Sequence, residues 1–178
     1  ARPACLQLRA KRIGAADLRR TAVLLLPACR AAGVPLLVND RLDVALAVGA
    51  DGVHLGQDDL PVRDALRIRA SQRLLIGVST HDLAQAQAAS RDGADYIGFG
   101  PIFATRSKAN PEPAVGLDRL REVCAAVSLP VVAIGGITLA TVAAVAATGA
   151  SAAAIIAAID QAHDPVAAAR RVARAFGV

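Results

Sequence analysis

The feature that most constrains the fold is an alternation of two kinds of segment along the whole chain. Short runs rich in Val, Ile, Leu and Gly alternate with longer Ala- and Leu-rich stretches of helical period. The triplets "AAG" at 31–33, "VGA" at 48–50, "DGA" at 92–94 and "TGA" at 148–150 place a glycine where a helix would end before the next strand. This repeated βα unit is typical of a parallel sheet covered by helices.

Seven such βα units are countable, which predicts an α/β fold of the parallel TIM-barrel type. The predicted strands cover 5–9, 35–40, 52–56, 74–80, 96–102, 130–136 and 152–159, and the predicted helices cover 15–32, 41–48, 62–69, 83–92, 117–127, 139–148 and 165–176. Because a closed (β/α)8 barrel needs eight units, we expect the first β/α unit to be missing from this chain. A doubly wound open sheet is the alternative, although no Gly-x-Gly-x-x-Gly motif follows the first strand.

Length and composition narrow the class of protein. With 178 residues, 54% of them apolar, the chain suffices for a single domain over 1–178. No segment is long and apolar enough to span a bilayer, and the first residues do not resemble a signal peptide, so we expect a cytoplasmic protein with no membrane partner. The net charge of +5 comes mostly from arginines spread over predicted helices, which predicts no nucleic-acid partner and suits small anionic substrates.

Lysine is used sparingly, and its two positions are informative. Of the 20 basic residues only Lys11 and Lys108 are lysines, so arginine serves wherever a surface cation is enough. An ammonium group is a compact charge on a flexible stem that can meet a phosphate end-on. Both lysines follow predicted strands, and we therefore expect them at one phosphate-binding face.

Functional residues of a parallel barrel lie at the carboxyl ends of its strands. The first predicted strand ends in Gln7, Arg9 and Lys11. Because these residues alternate along a strand, their three side chains project to the same side, and if one of them points toward the barrel axis, all three do. A half-exposed edge strand would show the same alternation and is the alternative.

Carboxylates follow the next two predicted strands. Asn39 and Asp40 end one of them, and Asp58 and Asp59 follow the other. Magnesium usually takes one or two protein carboxylates and fills its remaining positions with water and substrate phosphate. Asp40 together with Asp59 or Asp58 therefore predicts a Mg²⁺ site, while helix N-caps are the rival interpretation.

The remaining strand ends carry groups that suit phosphate oxygens. Ser79 ends the fourth predicted strand, and the loop after the fifth holds Thr105, Ser107 and Lys108. Gly136 lies where a helix follows the sixth strand, so the backbone can approach a phosphate there.

Nothing in the sequence assembles a nucleophilic triad or a carboxylate acid/base pair. His54 lies inside a predicted strand, which indicates a packed structural histidine, whereas His81 starts a helix and His163 lies in the last loop. A reaction that relies on charge neutralisation, without an essential protein base, is the better match.

Five ordered motifs resemble those of the thiamine phosphate synthase family. They are "QLRAK" (7–11), "VNDRLDVALAVGADGVHLGQDDL" (38–60), "IGVSTH" (76–81), "YIGFGPIFATRSK" (96–108) and "VVAIGGI" (131–137). The resemblance implies an eight-stranded βα barrel that joins hydroxymethylpyrimidine diphosphate to a thiazole phosphate, giving thiamine phosphate and diphosphate with Mg²⁺. It also implies that the diphosphate leaves first and that the thiazole nitrogen then attacks the cation-like pyrimidine methylene.

The resemblance implies a role for each matching residue. The implied catalytic residues are Arg9, Lys11, Ser79 and Lys108; the implied substrate-binding residues are Gln7, Leu8, Ala10, Asn39, Thr105, Arg106, Ser107, Gly136, Ile156 and Ala157; and the implied Mg²⁺ ligands are Asp40 and Asp59. Ala157 stands where the family commonly has Ser, which leaves only a backbone amide for the thiazole phosphate.

Two other functions compete with this interpretation. Thiazole tautomerase, a sister family, shares the barrel and isomerises a thiazole phosphate carboxylate, and "FATRSK" leans toward it. Asp40, Asp59 and Pro101 nevertheless keep the synthase pattern. A non-catalytic relative that binds phosphate ligands is the third hypothesis, and a homo-oligomer is left open.

Overall fold

A computed structural model describes residues 3–105 and 113–178 of the chain. The strands of the described chain are β1 (Leu6–Leu8), β2 (Leu36–Asn39), β3 (Gly52–Leu55), β4 (Leu75–Thr80), β5 (Tyr96–Phe99), β6 (Val131–Ile134) and β7 (Ala152–Ala154). Its helices are α1 (Ala15–Ala32), α2 (Leu42–Val48), α3 (Val62–Arg69), α4 (Leu83–Asp92), α5 (Gly116–Ala126), α6 (Val142–Ala146), α7 (Ala157–Asp160) and α8 (Pro165–Ala175). None of these described helices is long and apolar enough to cross a membrane.

The strands form one parallel sheet whose order is the order of the chain, from β1 to β7. The sheet curls into a TIM-like half-barrel, which confirms the predicted parallel α/β class. The strand order never reverses, so the doubly wound alternative is wrong. Among residues 3–105 and 113–178 no eighth strand joins β7 to β1, and closure into a (β/α)8 barrel stays a prediction.

Every predicted strand and helix is present, and α1, α3 and α4 have the predicted bounds. The largest error lies after β7, where the predicted strand 152–159 ends at Ala154 and Ala157–Asp160 forms α7 instead. Hydrogen bonds from the amides of Ile159 and Asp160 to the carbonyl of Ile156 close this short helix. A short apolar run of this kind has no periodicity that separates strand from helix, so the sequence alone could not place the boundary.

Helices cover the sheet with a narrow apolar stripe each. On α1 the buried side chains are Leu18, Ala22, Leu26 and Cys29, spaced three or four residues apart as one helical face requires. Ala22, Leu26 and Cys29 cluster with Leu36 of β2, a strand that is buried along its whole length. Because the strands are parallel, their carboxyl ends lie at one edge of the sheet.

Two aromatic rings, those of His54 and Tyr96, lie on the concave side of the sheet, and glycines on nearby strands make room for them. A Cβ atom at Gly77 on β4 would overlap the ring of Tyr96 on β5. A Cβ atom at Gly98 on β5 would lie 3.1 Å from Cε1 of His54 on β3. Glycine is therefore needed at these strand positions for close approach of a side chain.

Gly77→Ala tests this packing. We expect it to lower the free energy of unfolding by about 1–3 kcal/mol, because the added methyl must displace the Tyr96 ring or the β4 backbone. Denaturant unfolding measures the change, and Gly14→Ala is the matched control, since a Cβ atom at Gly14 meets nothing within 4 Å. Equal stabilities of the two variants would show that the Tyr96 ring does not depend on the glycine.

Candidate active site

Two carboxylates meet at the ends of β2 and β3. The side chain of Asp40, directly after β2, is hydrogen-bonded to that of Asp59, in the turn that follows β3. Nζ of Lys11 lies 3.2 Å from Oδ2 of Asp40. Asp58, the alternative partner in the sequence, is exposed. The structure thus brings together Lys11, Asp40 and Asp59 from the loops after three neighbouring strands.

The backbone around Asp40 is unusual for a residue that carries a side chain. Asp40 has a φ of 64°, in the left-handed region, and its amide donates to the carbonyl of His54 at 2.8 Å. The N-cap of α2 is Arg41 and that of α3 is Pro61, so the interpretation of Asp40 and Asp59 as helix N-caps is wrong. Strained backbone of this kind is concentrated at functional sites.

The environment of Asp59 favours its protonated form. Burial raises the pKa of Asp59 above its ordinary value, and the hydrogen bond and negative charge of Asp40 raise it further. The Gly56 amide, which donates to Oδ2 of Asp59 at 2.6 Å, and the Lys11 charge act in the opposite direction. The net direction is upward, because burial and the nearby Asp40 outweigh these opposing contributions.

Residues 8–11, at the end of β1 and directly after it, have different surroundings. Ala10 and Lys11 line a pocket that is also bordered by Asn39, Asp40 and Arg41, so four predicted site residues meet there. Arg9 is exposed and Leu8 packs against the hydrophobic core. A ligand contact of Leu8 would therefore involve its backbone rather than its side chain.

A chain of hydrogen bonds crosses the concave side of the sheet from β1 to β4. The side chain of Gln7 is hydrogen-bonded to Tyr96, whose hydroxyl lies 2.8 Å from Nδ1 of His54. Nε2 of His54 lies 3.0 Å from Oγ of Ser79. Gln57 donates to the backbone carbonyl of Ser79 at 2.5 Å.

This chain of hydrogen bonds links two predicted site residues, Gln7 and Ser79. The link runs through His54 and Tyr96, which were not among the predicted site residues. His54 is buried as predicted, and both of its ring nitrogens have polar partners. Tyr96 is the only tyrosine of the chain and lies opposite a strand glycine, Gly77. Its being the single tyrosine is a sequence signal, whereas its position opposite Gly77 depends on the strand register.

Tyr96 should resist ionisation. Burial raises the pKa of Tyr96 above its ordinary value of 10.0, the nearby Cys5 acts in the same direction, and the Gln7 hydrogen bond opposes them. Because the chain has one Tyr and no Trp, the ultraviolet absorbance of phenolate reports this residue alone. We expect no phenolate signal from the native protein at pH 10 and a normal titration in denaturant.

The same shift in the pKa of Tyr96 determines how the free energy of unfolding changes with pH. A raised pKa in the folded state means that the stabilisation is complete below the ordinary pKa and is lost as pH rises toward the folded-state value. Unfolding free energy should therefore fall with rising pH above pH 10, and Tyr96→Phe should flatten that slope. A native phenolate titration at the ordinary pKa would contradict the assignment.

The other half of the predicted site lies at the ends of β5, β6 and β7. Gly136 has a φ of 65°, and a Cβ atom there would lie 2.5 Å from the carbonyl oxygen of Ala104 and 2.7 Å from that of Phe103. The loop after β5 therefore rests directly on the Gly136 backbone. The amide of Phe103 donates to the carbonyl of Gly135 at 3.1 Å, which ties that loop to the end of β6.

The loop that begins at Phe103 is also anchored where it returns. Val115 donates to the carbonyl of Pro101 at 2.8 Å, and Gly116 donates to that of Ile102 at 3.1 Å. Thr105 is a half-buried residue of the described part of this loop. The predicted site residues Arg106, Ser107 and Lys108 lie outside the described residues.

Ile156 and Ala157 lie at the corresponding position of the next strand. β6 and β7 pair with Ile134 opposite Ala154, so Gly136 and Ile156 each follow their strand by the same distance. Ile156 is the N-cap of α7 and both residues are exposed. The backbone amides of a first helical turn have no partner within the helix and suit an anion.

The curled parallel sheet defines a TIM-like fold, and the candidate site lies in the βα loops at its carboxyl edge. The family model described as thiamine monophosphate synthase matches residues 1–159. The chain belongs to this family.

Individual relatives agree with the family match. The chain is 50% identical over 166 residues to a thiamine-phosphate synthase of Chloroflexus aurantiacus, a match that covers 93% of this chain and 76% of the relative. It is also 50% identical over 167 residues to one of Methanocella arvoryzae, covering 94% of this chain and 78% of that protein.

Solved structures agree as well. The thiamine phosphate pyrophosphorylase of Pyrococcus furiosus superposes with a TM-score of 0.89 at 35% identity and covers 98% of this chain and 83% of that one. A 3-hexulose-6-phosphate synthase, at a TM-score of 0.77 and 21% identity over 97% of this chain and 87% of that one, shares the fold.

Proposed function

We propose that the chain is a thiamine-phosphate synthase, a transferase that joins hydroxymethylpyrimidine diphosphate to thiazole phosphate and releases diphosphate. The observation that carries the proposal is the meeting of Asp40 and Asp59 beside Lys11 at the carboxyl edge of the sheet. Membership of the family supports the proposal, and so do relatives with 50% sequence identity that are named thiamine-phosphate synthases.

The donor set fits a magnesium ion. Asp40 and Asp59 supply two carboxylates, and within residues 3–105 and 113–178 no third His, Cys, Asp or Glu joins them to make a fuller protein cage. Magnesium usually takes only one or two protein carboxylates and completes its shell with water and substrate phosphate. A bound Mg²⁺ would supply charge neutralisation to a departing diphosphate.

The cationic side chains next to the carboxylates suit the diphosphate end of the pyrimidine substrate. Lys11 already contacts Asp40, so its ammonium group is held at the proposed metal site, and Arg9 is exposed on the same short segment. We propose that Gln7, Asn39 and Ser79 complete this half of the site, with Lys108 from the loop after β5.

The thiazole phosphate would occupy the other half. Thr105, Arg106, Ser107 and the backbones of Gly136, Ile156 and Ala157 are the proposed contacts, supported by the adjacent placement of the loops after β6 and β7. Ala157 offers its amide and no hydroxyl.

The proposed reaction needs no protein base. The bond between the pyrimidine methylene carbon and the diphosphate oxygen breaks, and the electron pair leaves with the oxygen. Lys11 and Arg9 stabilise the negative charge that develops on the diphosphate. The lone pair of the thiazole ring nitrogen then forms the new carbon–nitrogen bond, so no proton has to be removed.

The proposal also includes two further predictions made from the sequence. They are a single domain over 1–178 and an eight-stranded (β/α)8 barrel, seven strands of which lie within residues 3–105 and 113–178. The absence of a nucleic-acid partner, the cytoplasmic location and a homo-oligomer stay predictions. The comparisons favour the synthase over the tautomerase and the non-catalytic alternative.

The test is direct. The protein is incubated with pyrimidine diphosphate, thiazole phosphate and Mg²⁺, and thiamine phosphate is followed by its fluorescent oxidation product. Product that requires both substrates and disappears with a chelator is expected. Isomerisation of a thiazole phosphate carboxylate without coupling would replace the synthase with the tautomerase, and phosphate binding without turnover would indicate a binding protein.

A further inference from the structure

The hydrogen-bond chain that connects Gln7 to Ser79 has a definite direction. Of the two hydroxyl groups that flank His54, the Tyr96 phenol is more acidic than the Ser79 alcohol and is therefore the stronger hydrogen-bond donor. The Tyr96 O–H then points to Nδ1 of His54, 2.8 Å away. A neutral imidazole that accepts at Nδ1 carries its proton on Nε2.

The same direction continues to Ser79. Nε2 of His54 lies 3.0 Å from Oγ of Ser79, so the Nε2–H group donates to that hydroxyl. A serine hydroxyl has one proton and two lone pairs. When one lone pair is occupied by the histidine, the Ser79 proton is available to a ligand at the carboxyl end of β4.

The side chains that form this hydrogen-bond chain are packed against the strands of the sheet. His54 is buried, with 6% of its surface exposed. Gly77 and Gly98 leave the space that the rings of Tyr96 and His54 fill. Gln57 holds the Ser79 backbone through its carbonyl at 2.5 Å, so the hydroxyl starts from a fixed position.

We propose that His54 and Tyr96 are positioning residues: Tyr96 holds His54 in its Nε2–H tautomer, and His54 thereby presents the Ser79 hydroxyl as a hydrogen-bond donor to the pyrimidine diphosphate. The identity of the ligand rests on the proposed function. The tautomer and its dependence on Tyr96 do not.

The first experiment reads the tautomer without any substrate. The protein labelled with ¹⁵N-histidine has three imidazoles, His54, His81 and His163, and the signal lost in His54→Gln identifies the one of interest. The Nε2–H tautomer at neutral pH is expected, and Tyr96→Phe should abolish its predominance. An Nδ1–H tautomer, an imidazolium, or a tautomer unchanged in Tyr96→Phe would overturn the proposal even if the protein is a synthase.

The second experiment uses two replacements of His54 in the coupling assay. A glutamine amide reaches the position of Nε2, whereas an asparagine amide reaches only that of Nδ1. His54→Asn and Ser79→Ala should each lower kcat/KM for the pyrimidine diphosphate about 10- to 100-fold, which is the effect of one hydrogen bond to a charged group. His54→Gln should recover most of the activity, with KM for thiazole phosphate unchanged in all three.

Coupling between the two positions completes the test. If His54 acts through Ser79, the double variant His54→Asn/Ser79→Ala should be no worse than Ser79→Ala alone. Additive losses, or equal activities of His54→Asn and His54→Gln at equal melting temperatures, would assign His54 a structural role only. Absence of coupling activity in the wild-type protein would refute the proposed function and leave the tautomer result intact.

Discussion

Asp40→Asn is expected to reduce Mg²⁺-dependent formation of thiamine phosphate on the order of 10³-fold while leaving the fold as stable as in the wild-type protein. The substitution keeps the size and shape of the side chain and removes the negative charge on which a hard cation depends. Loss of a preorganised electrostatic contact to a developing charge has an effect of this size on kcat.

Stability should be preserved for two reasons. Asparagine is among the few residues that tolerate the left-handed backbone found at Asp40. The contact between Asp40 and Asp59, which raises the pKa of Asp59, becomes an ordinary amide–carboxyl hydrogen bond. The lost partner of Lys11 costs less than about 1 kcal/mol, because the lysine side chain is 55% exposed.

Asp43→Asn is the matched control. It makes the same change three residues further along, at an exposed carboxylate whose partner is the neighbouring Arg41. Activity is measured against Mg²⁺ concentration, and the melting temperature is measured with and without the ion. Mg²⁺ should raise the melting temperature of the wild-type protein and of Asp43→Asn and have no effect on Asp40→Asn. A full Mg²⁺ response in Asp40→Asn would remove Asp40 from the metal site.

Much of this architecture could be predicted from the sequence because each βα unit carries its own local signals. Apolar runs identify the strands, and Gly33 and Gly49 end α1 and α2 in the left-handed conformation that the repeated triplets predict. The boundary after β7 was the exception, since an Ala- and Ile-rich run suits a buried strand and a short helix equally.

The site was predictable to the extent that it lies at strand ends. The convergence of Lys11, Asp40 and Asp59 follows from parallel neighbouring strands, because their carboxyl ends meet at one edge. The partnership of His54 with Tyr96 and Ser79 could not be predicted, since it depends on which side chains cross the sheet interior and on glycines that make room for them. Such contacts arise from tertiary register and leave no spacing pattern in the sequence.

Gly136→Ala is expected to have the second large effect, and on the opposite half of the site. The added methyl would lie 2.5 Å from the Ala104 carbonyl oxygen and 2.7 Å from that of Phe103, so the loop after β5 must move away from the end of β6. Both flanks of that loop are fixed by backbone hydrogen bonds, and the displacement is therefore concentrated on the loop itself. A shift of about 1 Å in groups that position a substrate can reduce activity about 10²-fold.

Gly116→Ala separates this displacement from backbone strain. Gly116 has a φ of 80°, in the same left-handed region as the 65° of Gly136, but an added Cβ atom there meets nothing within 4 Å. Both variants should lose about 1 kcal/mol from the unfavourable backbone, whereas only Gly136→Ala should raise KM for thiazole phosphate, with KM for the pyrimidine diphosphate little changed. Because the two substrates are proposed to occupy opposite halves of the site, equal increases of both KM values would contradict that division, and an unchanged KM for thiazole phosphate would remove Gly136 from its binding site.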